Sequence, residues 1–152
     1  VTRLPSSLDF LPAAHRERLM VTGLAVSYPA GTRLFDEGGK ADRFWLLHSG
    51  EVALDVYVPG RHPAPVVETL GPGQLLGWSW ISPPHRWHLG AQAVTAVEAT
   101  QFPAAEVLSL CAAEPQLGYA LMRRFTEVVA ERLQATRTRL LDLYAPYGSG
   151  PA

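Results

Sequence analysis

The chain has 152 residues, enough for one domain with a complete hydrophobic core and cramped for two. Hydrophobic residues make up 47% and charged residues 18%, the balance of an ordinary globular protein, and a formal net charge of −1 supplies no overall pull toward nucleic acid or acidic lipid. The single cysteine, Cys111, rules out an internal disulfide, and no apolar run approaches the ~20 residues of a membrane span. With no apolar signal core at residues 1–5, these features predict a soluble, cytoplasmic protein.

Residues 8–24 are expected to be helical, with Ser7 as a cap, Leu8, Leu11 and Leu19 on an apolar side, and Pro12 near the helix start. From 25 to about 102, short β-prone runs alternate with Gly and Pro. Val26-Ser27-Tyr28 leads into Pro29-Ala30-Gly31, and Arg33-Leu34-Phe35 leads into Asp36-Glu37-Gly38-Gly39. Residues 43–48 form a strand turned by Ser49-Gly50, and 51–58 alternate, with Val52, Leu54, Val56 and Val58 on one face. Residues 66–70 follow a proline-rich loop and meet the turn Gly71-Pro72-Gly73; 91–97 and 100–102 complete the series. About eight short strands with regular turn signals predict an antiparallel β-roll or jelly roll, mainly β with flanking helices.

After Pro103 the texture is helical again. Residues 104–111 make a short helix, and Pro115 opens a long one that no Gly or Pro interrupts between Gly118 and Tyr144. Along it Met122, Phe125, Val129, Leu133, Thr136, Leu140 and Leu143 recur at spacings of three and four. The expected domain is 1–144, with 145–152 a flexible tail.

Gly31, Gly38, Ala41-Asp42, Phe44, Leu46, Ser49-Gly50-Glu51-Val52, Leu70-Gly71-Pro72-Gly73 and Leu76-Gly77 stand in a telling order. With the sequence helix, strands, short helix, long helix, they resemble the cyclic-nucleotide-binding domain. That domain is the sensor of catabolite-activator-type regulators, of regulatory subunits of cyclic-nucleotide-dependent kinases, and of gated channels. The resemblance covers about 8–144. It implies a ligand site just after Leu76-Gly77. Members that bind nucleotide place a short helix there whose first amides face the cyclic phosphate. A Glu after the glycine takes the ribose hydroxyl, and an Arg about ten residues on pairs with the phosphate.

Here that segment reads Gly77-Trp78-Ser79-Trp80-Ile81-Ser82-Pro83-Pro84-His85-Arg86-Trp87-His88-Leu89-Gly90-Ala91. Trp78 and Ser79 stand in place of the Glu, His88 or Gly90 fall at the Arg spacing, and Arg86 is the nearest guanidinium, offset by Pro83-Pro84. The candidate ligand-binding residues are therefore Gly77, Trp78, Ser79, Trp80, Arg86, His88 and Ala91. Three readings of the segment stay open. Trp78, Trp80 and Trp87 fill the roll where nucleotide would sit. Alternatively, they stack on another ligand whose anionic group meets Arg86 or His88. In the third, the domain binds a cyclic nucleotide through Arg86. No cofactor is expected beyond a cyclic nucleotide or other small anionic ligand.

A metal is not expected: two residues separate His85 from His88, no carboxylate follows before Glu98, and two histidines are too few for a closed site. Catalysis lacks a nucleophile beside a base. Cys111 sits on an apolar helix, which predicts a packed, inert thiol. Gly71-Pro72-Gly73 and Gly38-Gly39 lack the lysine context of a phosphate loop.

In relatives the long helix is both dimer seam and signal carrier. The resemblance implies a homodimer through Met122, Phe125, Val129, Leu133, Thr136 and Leu140. Transcription-factor relatives continue into a helix-turn-helix domain, whereas few residues follow Tyr144 here. Direct DNA binding and membrane contact are accordingly not expected, and an unidentified protein partner stays open. The function expected is a non-enzymatic regulatory or sensor module with a divergent small-molecule pocket that does not bind cyclic AMP in the usual way. The alternatives are a ligand-free dimeric interaction or scaffold protein, and a genuine cyclic nucleotide binder using Arg86.

Overall fold

The computed structural model of the protein describes residues 8–144. Leu8 and Leu11 are buried in one turn, closed by a 3.0 Å hydrogen bond from the Leu11 amide to the Leu8 carbonyl. Pro12 then caps α1 (Ala13–Val21), so this helix is shorter than the sequence suggests. Proline lacks an amide hydrogen and suits a helix start, and it ends the preceding turn rather than riding inside a helix. The expected cap, Ser7, lies outside the described residues, and Leu24 belongs to a strand.

Eight strands follow: β1 (Leu24–Tyr28), β2 (Arg33–Phe35), β3 (Arg43–Ser49), β4 (Val52–Asp55), β5 (Val66–Leu70), β6 (Leu75–Leu76), β7 (Gly90–Ala93) and β8 (Val97–Pro103). They form two four-stranded sheets, ordered β1-β8-β3-β6 and β2-β7-β4-β5. Every pairing is antiparallel. This is the predicted β-roll. The strand expected over 51–58 stops at Asp55, where the β4–β5 register shifts, and Val56 and Val58 fall outside it. Asp55 turns instead to Arg33, which grips its carboxylate with both terminal nitrogens and holds Asp36 at 2.8 Å through Nε. The Asp55 bond contributes most to holding the Arg33 guanidinium in its charged form. Beside the Ala41-Asp42 pair, Arg43 Nε lies 2.8 Å from the Asp42 carboxylate and holds it below the usual carboxylate range.

One aromatic cluster joins the β1-β8-β3-β6 sheet to the long C-terminal helix. Phe44 of β3 stacks on Phe102 of β8 at 4.8 Å and on Trp80 at 5.0 Å; Phe125 meets both Phe44 and Trp80 edge-on at 5.0 and 5.2 Å. Phe125 belongs to α3 (Pro115–Tyr144), which follows α2 (Ala104–Ala113). The two helices close tightly at Gly118, where a Cβ would stand 2.9 Å from the Cys111 carbonyl oxygen. Cys111 is half-buried there, and burial pushes its thiol above the ordinary pKa. Arg18 of α1 pairs with Glu114 at the α2–α3 junction.

α3 carries two apolar stripes, not the single one its periodicity suggests. The face turned to this chain's own core is Leu117, Gly118, Leu121, Phe125, Val128 and Arg132. Phe125 is only 1% exposed and has no surface to give to a second copy, so it belongs to this chain's core and not, as expected from the sequence, to the seam. Met122 and Val129 are half-buried, Leu133 and Leu140 are 70% and 51% exposed, and Thr136 is exposed. The two stripes interleave at helical spacing, so periodicity alone merged them.

Candidate functional site

The segment after β6 folds without a helix. Gly77 has a φ of +94°, and a Cβ there would come within 2.9 Å of the Trp87 ring. Glycine is therefore required both for the left-handed turn and for Trp87 to lie across it. Beyond Gly77 the chain makes isolated turns, from the Ile81 amide to the Trp78 carbonyl (3.2 Å) and from the His85 amide to the Ser82 carbonyl (3.1 Å). Between 77 and 89 there is thus no helix N-terminus to present amides to an anion. Residues 85–87 are zipped onto 38–41 instead. The Gly38 amide donates to the Trp87 carbonyl at 2.8 Å, the Trp87 amide to Gly39 at 2.9 Å and the Ala41 amide to His85 at 2.7 Å.

The sequence candidates separate under this geometry. Trp80 is fully buried in the aromatic cluster, its Nε1 donating to the Gly77 carbonyl at 3.2 Å, so it is core. Arg86 points outward, donates to the Gly38 carbonyl at 3.2 Å, is exposed, and does not line the cleft. Ala91 is buried in β7 opposite Leu54 and Phe35 and also lies off the cleft. Gly77, Trp78, Ser79 and His88 do come together. Trp78 stacks on the His88 ring at 4.4 Å, and His88 Nδ1 lies 2.8 Å from the buried Ser79 hydroxyl, which also accepts the His88 amide at 3.4 Å.

These four residues line a cleft inside the roll. Its other walls are Phe35, Leu54, Leu70, Leu76, Trp87, Leu89 and Arg132. Trp87 fills it, stacked on Phe35 at 3.9 Å and tilted against Trp45 at 6.0 Å. The free volume left is about 20 Å³, room for one water. Arg132 is the charged wall residue that sequence reasoning missed. It reaches in from α3, 6% exposed, and pairs with Glu68 of β5. The signal was present, because a charged residue continues the core stripe Leu117, Leu121, Phe125, Val128 one turn further. Among the described residues no three His, Cys, Asp or Glu side chains gather as a metal site, and no helix is long and apolar enough to cross a membrane.

The family described as the cyclic nucleotide-binding domain matches residues 25–114, which takes in both sheets and α2. This chain belongs to the cyclic nucleotide-binding domain family. It is 30% identical over 119 residues to the CRP-like cAMP-activated global transcriptional regulator of Mycobacterium tuberculosis, covering 78% of this chain and 50% of that protein. The chain thus spans about half the length of the curated relatives it matches. Among solved structures, a cyclic nucleotide-binding domain from Methylobacillus flagellatus superposes with a TM-score of 0.78 at 18% identity, covering 93% of this chain and 76% of that one. The Thermus thermophilus catabolite activator protein gives 0.72 at 23% identity, with coverage of 92% and 63%. The N-terminal domain of a Streptomyces coelicolor transcriptional regulator gives 0.67 at 25% identity, with coverage of 90% and 91%. The domain shares the roll and its flanking helices with these relatives.

Proposed function

We propose that this cyclic nucleotide-binding domain is a non-enzymatic regulatory or sensor module whose cleft does not take cyclic AMP in the usual way. The observation that carries this reading is the cleft itself, filled by Trp87 and its neighbours down to the volume of one water. A buried cyclic phosphate needs a cation and several donors. Arg86 stands outside the cleft, no helix supplies amides between 77 and 89, and Trp78 and Ser79 replace a ribose-binding carboxylate. The polar groups that do meet the cleft are Ser79, His88 and Arg132, a set suited to a small divergent ligand.

Trp78 and Trp87 make the cleft its own reporter. Titrating cyclic AMP and cyclic GMP up to ~1 mM, an affinity worth only about 4 kcal/mol, is expected to leave tryptophan fluorescence without a saturable change. A micromolar isotherm that vanishes in Arg86→Ala would establish ordinary nucleotide binding and overturn the proposal.

The exposed stripe of α3 supports a second part of the reading, self-association. Val129, Leu133, Thr136 and Leu140 follow one another at four, three and four residues, the rhythm of a coiled-coil seam, and Leu133 and Leu140 leave large apolar side chains uncovered. Sedimentation at micromolar concentration is expected to show a dimer, and Leu133→Lys with Leu140→Lys a monomer of unchanged fold. A monomeric unsubstituted protein at that concentration would refute the seam.

A further inference from the structure

We propose that Arg132 is the anion receptor of the cleft, that Glu68 is its resident counter-ion, and that the ligand is an oxyanion carried on an apolar or aromatic body. This rests on the reading of the cleft as a divergent ligand site. Arg132 occupies the last core-facing position of α3, where leucine or methionine would continue the stripe. A buried ion pair commonly stabilises a fold no better than apolar side chains of the same volume. Folding alone therefore gives no reason for arginine at this position. The side chain lines the cleft beside Ser79 and His88, so the one buried cation of α3 faces the site.

Glu68 marks the kind of group Arg132 receives. A guanidinium fork matches the two oxygens of a carboxylate or the paired oxygens of a phosphate. The Glu68 side chain is 23% exposed and sits on β5, which among the described residues pairs only with β4, so the carboxylate has a path into solvent when displaced. The rest of the lining, with Leu54, Leu89, Phe35 and the Trp78 ring, suits an apolar body. With room for about one water beside Trp87, admission requires that ring to leave its Phe35 stack, along with parting of the Trp78–His88 stack and the Ser79–His88 hydrogen bond. An occupant that takes Arg132 from Glu68 also removes the ion pair that joins α3 to β5.

The test is a fluorescence titration of the whole chain with phenyl phosphate and with benzoate, with phenol as the uncharged control. Glu68→Gln removes the nearer competing carboxylate, leaving Glu131 3.7 Å from Arg132 Nη2, and is expected to bind at least one of the two anions about tenfold or more tightly than the unsubstituted protein. Phenol is expected to give no such gain. Arg132→Met is expected to lose the saturable response. Equal affinity in Glu68→Gln and the unsubstituted protein, no response in either, or undiminished binding in Arg132→Met would each overturn the proposal. If Arg132→Met does not fold by circular dichroism, the Glu68→Gln comparison decides alone. The cyclic AMP titration separates the two levels. Nucleotide binding through Arg86 sinks the reading of the cleft, whereas failure of both anions with no nucleotide binding sinks only the receptor.

Discussion

Replacing Phe125 with alanine is expected to lower the free energy of unfolding by about 3–5 kcal/mol, the range for a large aromatic removed from a packed core. The side chain is the hinge point of the ring cluster, meeting Phe44 at 79° and Trp80 at 86° between ring planes. Phe44 is meanwhile committed to Phe102. None of these rings can swing into the void without abandoning another partner, so collapse around the cavity is limited. Leu133→Ala, on the exposed stripe of the same helix, is expected to stay within about 0.5 kcal/mol when the chain is monomeric. Urea unfolding of both variants below the association concentration checks the contrast. Similar losses would mean that the two faces of α3 have been assigned wrongly.

The second large effect is expected at Gly50, between β3 and β4. Its φ is +85°, and an added Cβ would stand 2.1 Å from the Ala96 carbonyl oxygen and 2.9 Å from Val97 Cα. Both obstacles are backbone, so no side-chain rotation relieves them. A left-handed non-glycine residue costs about 1–3 kcal/mol, and forced displacement in a packed region adds a similar amount. Gly50→Ala should therefore cost about 2–6 kcal/mol. Gly38→Ala is the internal control. Its φ of +86° is nearly the same, but an added Cβ meets nothing within 4 Å, so only the backbone strain remains. Equal losses at the two positions, measured by thermal or urea unfolding, would rule out the clash with the backbone of Ala96 and Val97.

Gly50 also shows what kind of information the sequence carried. Ser49-Gly50-Glu51-Val52 was legible because a steric demand admits one residue type at one place, whatever the ligand. The start and unbroken run of α3 were legible for a similar reason: proline fits a first turn, and no Gly or Pro stands between Gly118 and Tyr144. β6 was not, since Leu75–Leu76 is too short for alternation to register and is defined only by its pairing with Trp45 and Leu46. The end of β4 was equally hidden, because Val56 and Val58 keep the alternation after the partner strand has shifted register.

In the candidate site, residue type singled out a segment whose side chains the fold sends in different directions. Trp80, Arg86 and Ala91 are neighbours in sequence to Trp78, Ser79 and His88. The zipped backbone at 85–87 turns Arg86 outward, while the ring cluster draws Trp80 inward. Arg132 stands more than forty residues away, and only the register of α3 on the roll brings it to the cleft.

The far end of α3 has a consequence of its own. Beyond Arg132, every residue through Tyr144 is exposed except half-buried Ala135. Turns that receive so little from the roll are held by helix propagation alone, which is marginal in water. Order in these last turns is then a reading of whether they are covered. Ellipticity at 222 nm, followed by dilution, would register coverage as residues gained or lost from the coil, with no need to know what does the covering.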